Sequence, residues 1–175
     1  MRESIVGGYS QFRGRVASPA LQAIADHWRS ACALKDVPAW SDLSPSGLAP
    51  HFKLLWAFKY DRDAGEFTAR LAGNRAMVGF GKSFRGTALK DIHPPHVYDL
   101  AQAHMTKVVT ERTAYYCSGK LFRVGSQVIE GERIMLPLAS NGDNADGLLG
   151  ATDYTSRAMD GSVELLLGQI EWFSI

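Results

Sequence analysis

The sequence predicts an α+β domain built on one five-stranded antiparallel β-sheet. Apolar segments with the alternation or aromatic content of strands occur as a pair in the first half of the chain and as a run of three in the second half. Short glycine-broken helices and one longer helix separate these two groups. Because short turns join the strands within each group, we expect antiparallel pairing, with the helices over one face of the sheet.

Each predicted strand is bounded by turn residues. Residues 51–60 are rich in aromatic and aliphatic side chains, residues 66–72 alternate apolar and polar side chains, and the loop 61–65 joins them as a hairpin. Residues 95–112 carry the three- and four-residue spacing of an amphipathic helix. The three later strands are predicted over residues 113–124, 128–138 and 148–154.

The N-terminal region is predicted to contain one helix. Residues 1–17 contain three glycines and show no sustained apolar period, so we expect a flexible arm or an extended lead-in. Ser18 and Pro19 are typical of the N-cap and the first position of a helix. Apolar residues then follow at helical spacing, and we expect Trp28 to anchor this helix on the domain.

The segment from Phe67 to Gly86 is expected to form the wall and the lid of a pocket. Gly73 and Asn74 suit a sharp turn after a strand, because both tolerate positive φ. Asn74 can then cap a short helix, whose apolar positions include Met77 and Phe80. This helical part is the expected lid.

Charge and hydropathy exclude several classes of function. The net charge is +1 and the isoelectric point about 7.8, so no electrostatic surface for nucleic acid or an anionic membrane is expected. No apolar run reaches the roughly 20 residues that span a bilayer, and the first residues lack the pattern of a signal peptide. We therefore expect a cytoplasmic protein in which Cys32 and Cys117 are reduced thiols.

The C-terminal tail is too apolar to remain free in solvent. We expect it to dock on its own domain or on a second copy of the chain, with a role in a homodimer. The chain then divides into a flexible arm, a flanking helix, the main domain and the apolar tail, at residues 1–17, 18–36, 37–156 and 157–175.

A series of short motifs follows one order along most of the chain. They are Trp28, the Pro38–Pro45 linker, Arg70–Gly73, Phe80-Gly81, Phe84–Gly86, the Glu132–Leu138 strand and Leu149–Ala151. As an ordered set over about residues 20–155, they resemble PAS domains, in particular the short stand-alone PAS-like proteins of bacteria.

The resemblance implies a sensory or interaction module. PAS domains curl a five-stranded antiparallel sheet around a small cavity, which the short helices and the longer helix cover. Members of the family hold haem, flavin, small carboxylates, lipids or nothing, so the cofactor stays open. No kinase, cyclase or DNA-binding region accompanies the PAS-like part. The implied function is therefore non-enzymatic signalling without an output domain of its own, through an unidentified small molecule, a signalling protein or a homodimer.

Candidate ligand-binding residues are those that such a cavity would expose, although plain core packing explains the apolar ones equally well. They are Trp56, Phe58, Arg70, Asn74, Met77, Phe80, His104 and Tyr116. Arg70 has two interpretations. It either forms an ion pair with Glu130 or Glu132, or holds an anion at the pocket mouth, where Arg75 and Arg85 are weaker candidates.

Two other functions stay open. A small cone-shaped α+β enzyme of the ketosteroid-isomerase type would need a carboxylate or histidine base in an apolar pocket, and Glu130 and Glu132 are the acids within a predicted strand. A haem sensor would use His104, on the helix over the cavity, as the axial ligand. No metal site is expected, because Pro-Pro separates His93 from His96 and prevents a shared helical face.

Overall fold

The strands of the chain form a single sheet. The computed structural model describes residues 5–75, 84–141, 144–155, 163–166 and 168–175. Its strands are β1 (Ile5–Gly7), β2 (Leu55–Asp61), β3 (Glu66–Ala72), β4 (Thr113–Val124), β5 (Gln127–Leu138), β6 (Gly147–Tyr154), β7 (Val163–Leu165) and β8 (Gln169–Ser174). They lie in the order β1-β8-β4-β5-β6-β2-β3, with β7 paired to the far end of β4.

The helices lie on both faces of this sheet. They are α1 (Tyr9–Arg15), α2 (Pro19–Cys32), α3 (Pro45–Leu48), α4 (Leu89–Ile92) and α5 (Pro95–Glu111), with 3-10 turns at Trp40–Asp42 and Ala49–Leu54. The predicted α+β class is confirmed. The five predicted strands correspond to β2 to β6, and all neighbours in the sheet are antiparallel except β1 and β8.

Helix α2 forms as the sequence predicts. The hydroxyl of Ser18 accepts a hydrogen bond from the backbone N–H of Leu21 at 3.3 Å, and Pro19 occupies the first turn. Trp28 is fully buried, and its indole N–H donates to the carbonyl oxygen of Pro137 at 2.8 Å. The predicted anchor is therefore confirmed, and it joins the helix to β5.

The region before α2 differs from its prediction. The sequence predicts a flexible arm or an extended lead-in over residues 1–17, whereas the structure has β1 and α1 there. Phe12 is fully buried, and its ring centroid lies 5.7 Å from that of Phe173. Packing on the sheet stabilises this helix. Because the helix has only seven residues, its sequence shows little apolar periodicity from which it could be predicted.

The first hairpin also differs at its ends. The sequence predicts strand from residue 51, but residues 51–54 complete a 3-10 turn and β2 begins at Leu55. The sequence predicts a turn with positive φ at Gly73, but in the structure its φ is not positive. Glycine is needed there because the backbone at Gly73 lies close to the backbone of Phe52. A Cβ atom at Gly73 would lie 2.2 Å from the carbonyl oxygen of Phe52, so the turn brings the end of β3 against the segment before β2.

The two faces of the sheet carry separate cores because side chains alternate along each strand. One face packs on α1 and α2 through a core that includes Phe12, Trp28, Tyr116, Leu136 and Phe173. The other face packs on α4 and α5 through a core that includes Phe58, Met105, Tyr115, Met135 and Trp172. Cys32 and Cys117 are both buried, one in each core, so the sheet separates their thiols.

The apolar tail docks on its own domain. Strand β8 pairs with β4 from Thr113 to Ser118, and Trp172 and Phe173 are fully buried. Intrachain burial therefore accounts for the apolar character of this end of the tail. Among the described residues, none of the helices has the length and hydropathy to cross a membrane.

Candidate functional site

A cavity of about 110 Å³ lies between the sheet and the helices α4 and α5. Most of its wall is apolar or aromatic. On the sheet side, Trp56 and Phe58 of β2 lie two residues apart and therefore project to the same face. On the helix side, Leu100 and Met105 of α5 line the cavity. A small, mostly apolar cavity with a few polar groups is the usual composition of a ligand site.

The position of Trp56 depends on the absence of a side chain at Gly150. These two residues are paired across β2 and β6. A Cβ atom at Gly150 would lie 2.4 Å from the indole ring, so only glycine lets the ring lie flat over β6. The ring of Trp56 also meets that of Phe58 edge-on, with 6.0 Å between centroids. The two aromatic side chains thus form one continuous wall.

A polar corner interrupts the apolar wall, and Thr152 lies at its centre. Thr152 is only 5% exposed. Its hydroxyl oxygen accepts hydrogen bonds from the indole N–H of Trp56 at 3.0 Å and from the Nε–H of Arg133 at 3.2 Å. The guanidinium of Arg133 also lies 5.2 Å from the ring centroid of Phe122. We call Trp56, Arg133 and Thr152 the donor corner.

Arg75 borders the cavity beside the donor corner and connects it to the opposite face of the sheet. Its guanidinium lies 4.4 Å from the ring centroid of Tyr154 and donates to the backbone carbonyl of that residue. It also forms an ion pair with Asp153, at 3.4 Å. Asp153 in turn accepts a hydrogen bond from the hydroxyl of Ser18, at 2.7 Å. A chain of polar contacts therefore runs from the cavity wall to the start of α2.

Two histidines line the cavity from the helical side. Burial, with a smaller effect of the positive charge on Arg133, lowers the pKa of His93 to about 4, so its imidazole is neutral at physiological pH. His104 packs against aromatic rings, with centroid distances of 5.5 Å to Tyr115 and 5.8 Å to Trp172. Both histidines are therefore neighbours of the apolar wall.

The structure brings together some of the sequence-predicted ligand residues. Trp56, Phe58 and His104 line the cavity. Asn74 is exposed, at the start of a helical turn next to Arg75. The predicted residues Met77 and Phe80 lie outside the described residues.

Arg70 and Tyr116 lie away from the cavity. Arg70 is exposed, and its guanidinium lies 4.7 Å from the ring centroid of Trp40. Among the ion pairs of the described residues, none joins Arg70 to Glu130 or Glu132. Tyr116 belongs to the core on the other face of the sheet, where its hydroxyl donates to Glu132. Burial, together with Glu132, raises the pKa of Tyr116 to about 12.

Three polar residues of the cavity wall do not stand out in the sequence. Arg133 and Thr152 are paired across β5 and β6, and Tyr154 follows two residues later on the same face. In the sequence, the direction of the Arg133 side chain is indicated by its position two residues before Met135, which is also in the wall. The bulge of β4 near Leu121 adds Phe122 to this wall, although alternation from Tyr116 places it on the opposite face.

The two glutamates named as candidate bases of a ketosteroid-type isomerase do not line the cavity. Glu130 is exposed. Glu132 lies on the opposite face, where it accepts hydrogen bonds from the backbone N–H groups of Ala17 and Ser18 at 2.9 and 2.5 Å. Within the described part of the chain, no Asp or Glu contributes to the cavity wall.

Haem does not fit the cavity. Sites for drug-sized ligands have volumes of about 300–1,000 Å³, and the cavity beside His104 measures about 110 Å³. The described residues also contain no cluster of three His, Cys, Asp or Glu side chains that could hold a metal ion.

Comparisons with known proteins agree with this architecture. The structure is similar to that of the PAS domain from Bordetella pertussis BvgS, with a TM-score of 0.50 and 11% sequence identity, over 62% of this chain and 80% of that one. At this identity the likeness concerns the fold alone. Comparison with curated proteins gave no significant match. The model of the PAS domain family matches residues 16–153, well over half of the sequence. The chain therefore belongs to the PAS domain family, whose members are sensory and signalling modules.

Proposed function

We propose that this chain is a non-enzymatic sensory module whose cavity binds a small molecule and whose N-terminal helices pass the bound state to a protein partner. The observation that supports it most is the cavity itself, which has aromatic walls interrupted by a polar corner. A closed core filled by side chains would leave no room for a ligand. A volume of about 110 Å³ corresponds to a small organic molecule.

A route from the cavity to the other face of the sheet supports the signalling part of the proposal. Arg75 borders the cavity and pairs with Asp153, and Asp153 accepts from the N-cap residue Ser18. A ligand that changes the position of Arg75 would change the ion pair with Asp153. The N-cap of α2 would respond because it shares this carboxylate. Helices α1 and α2 are therefore the proposed output surface.

The nature of the output partner is a separate part of the proposal. The partner is a signalling protein or a second copy of the chain. Since the tail already docks on its own sheet through β8, we expect dimerisation, if it is the output, to use α1 and α2.

Native mass spectrometry of the purified protein tests the proposal, because it detects bound small molecules and oligomeric state together. The test variant is Ala101→Phe, since Ala101 of α5 lines the cavity and a larger side chain there would fill it. The matched control is Ala103→Phe, which adds the same side chain to an exposed position of the same helix. We expect a bound small molecule on the original chain and on the control, and its loss from Ala101→Phe.

Two results would contradict the small-molecule part. One is a bare protein mass after gentle purification together with no stabilisation by any member of a library of small organic molecules. The other is equal retention of a ligand by Ala101→Phe and Ala103→Phe, with circular dichroism spectra unchanged. Either result would leave the partner-binding part standing, and a co-purifying protein or a dimer mass would then support that part.

A further inference from the structure

We infer that the ligand of the cavity is a small organic monoanion, with its carboxylate at the donor corner and an apolar body against Trp56 and Phe58. This inference rests on the proposed function, because it names the class of molecule that the same cavity would take. It is carried by an excess of hydrogen-bond donors and positive charge at one buried corner.

Among the described residues, no acceptor is found for the hydroxyl hydrogen of Thr152. A threonine hydroxyl has two acceptor lone pairs and one donor hydrogen. Both lone pairs of Thr152 are used, one by Trp56 and one by Arg133. The hydroxyl hydrogen of this 5% exposed side chain must therefore find an acceptor of its own. None of the side-chain hydrogen bonds of the described residues has the Thr152 hydroxyl as the donor.

Within the described part of the chain, the charge of Arg133 also lacks an ion-pair partner. Arg133 uses only its Nε–H within the described structure, so its two terminal nitrogens are available. None of the ion pairs of the described residues includes Arg133. Arg75, on the same wall, has its charge matched by Asp153. One uncompensated guanidinium fits one negative charge on the ligand, held in the two-pronged manner typical of arginine and carboxylate.

The apolar part of the cavity wall indicates the chemistry of the ligand beyond its carboxylate. Phe58, Leu100 and Met105 offer no hydrogen bonds, so the part of the ligand that meets them has to be hydrocarbon. An engineered apolar cavity of about 150 Å³ holds benzene. The donor corner lines this same cavity of about 110 Å³, so the carboxylate takes part of its volume, and the cavity suits a short-chain acid of roughly four to six non-hydrogen atoms.

Matched pairs of an acid and its neutral amide test this inference. The probes are propanoate with propanamide, and butanoate with butanamide. Binding is measured by isothermal titration calorimetry, and the indole N–H resonance of Trp56 reports whether the probe lies at the donor corner. A hydrogen bond to a charged group contributes about 1.5–3 kcal/mol. We therefore expect at least one acid to bind about 10- to 100-fold more tightly than its amide.

The variant Arg133→Gln removes the charge and keeps a donor of similar length. We expect it to bring the ratio of acid to amide affinity close to one. Arg70→Gln is the matched control, because Arg70 is an exposed strand arginine that stacks on Trp40 outside the cavity. It should leave the ratio unchanged. The comparison of acid with amide on the original chain needs no variant, so it decides the question even where Arg133→Gln fails to fold.

The outcomes separate this inference from the proposed function. Amides that bind as tightly as their acids, with Ala101→Phe abolishing both, would overturn the anionic ligand and support a sensor of neutral molecules. Acid binding that is unchanged in Arg133→Gln would also overturn the inference. Failure of all four probes to bind would overturn it as well, and retention of a ligand in the mass spectra of the original chain would then keep the proposed function in place.

Discussion

His93 is held in its neutral form by the cavity wall. Burial and the charge of Arg133 lower its pKa from 6.5 to about 4. Between these two values the unfolded chain binds a proton that the folded chain does not bind. Protonation therefore favours the unfolded chain, and the free energy of unfolding should fall as the pH decreases from 6.5 towards 4. We expect a loss on the order of 2 kcal/mol over this range.

Urea unfolding measured at about pH 6.5 and about pH 5 checks this expectation. The substitution His93→Gln should make the stability nearly independent of pH in this window. His96→Gln is the control, since His96 is exposed on α5, and it should keep the dependence of the original chain. An identical pH dependence of the original chain and His93→Gln would show that another group is responsible.

Polar residues that face a core are the least predictable part of the site. Trp56 and Phe58 are large and aromatic, which makes them natural candidates for a cavity wall in the sequence, and both line the cavity in the structure. Arg133 and Thr152 also line it, but polar residues on antiparallel strands usually face solvent. Arg70 is also a strand arginine, but it is exposed and its guanidinium lies over the ring of Trp40.

Helix α2 depends on contacts that its own sequence only partly indicates. Ser18 caps the helix through Leu21, and its hydroxyl donates to Asp153 of β6. Its backbone N–H donates to Glu132 of β5. The N-cap therefore fixes the helix to two central strands as well as starting it.

The substitution Ser18→Ala should destabilise the protein by about 1–2 kcal/mol, because it removes the cap and leaves Asp153 without one of its partners. Urea denaturation followed by circular dichroism measures this loss. Ser30→Ala is the matched control on the same helix, since Ser30 is exposed and bonds only to its own helix at Asp26. We expect its effect to stay within about 0.5 kcal/mol. Equal effects of the two substitutions would refute a special role for Ser18.

Elements with strong local signals are predicted well, and those that depend on packing are not. The ranges of β3 and β4 agree with the sequence prediction residue for residue, because alternation and clear turns bound them. Helix α1 has seven residues, and its burial on β8 and β4 is a long-range effect. The 3-10 turn before β2 has the composition of a strand. Its contact with Gly73 joins residues about 20 positions apart, so it cannot be predicted from the local sequence.

At the scale of the whole molecule, one sheet separates two cores, and β8 contributes to both. Phe173 belongs to the core under α1 and α2, where it meets Phe12 at 5.7 Å. Trp172 belongs to the core under α5, where it packs on Tyr115 at 5.1 Å and lies beneath the ammonium of Lys107 at 4.8 Å. These two adjacent and fully buried residues therefore stabilise opposite faces of the sheet.

This arrangement predicts different consequences for two neighbouring substitutions. Trp172→Ala and Phe173→Ala should each lower the free energy of unfolding by about 3–5 kcal/mol, because each leaves a cavity in a packed core. Their local effects should differ under conditions where both variants stay folded. Amide hydrogen exchange should become faster mainly in α5 for Trp172→Ala and mainly in α1 for Phe173→Ala. Faster exchange in both helices to the same extent in both variants would show that the two layers open as one unit. In that case a ligand in the cavity could reach α1 and α2 through the sheet as a whole, without the ion pair of Arg75 and Asp153.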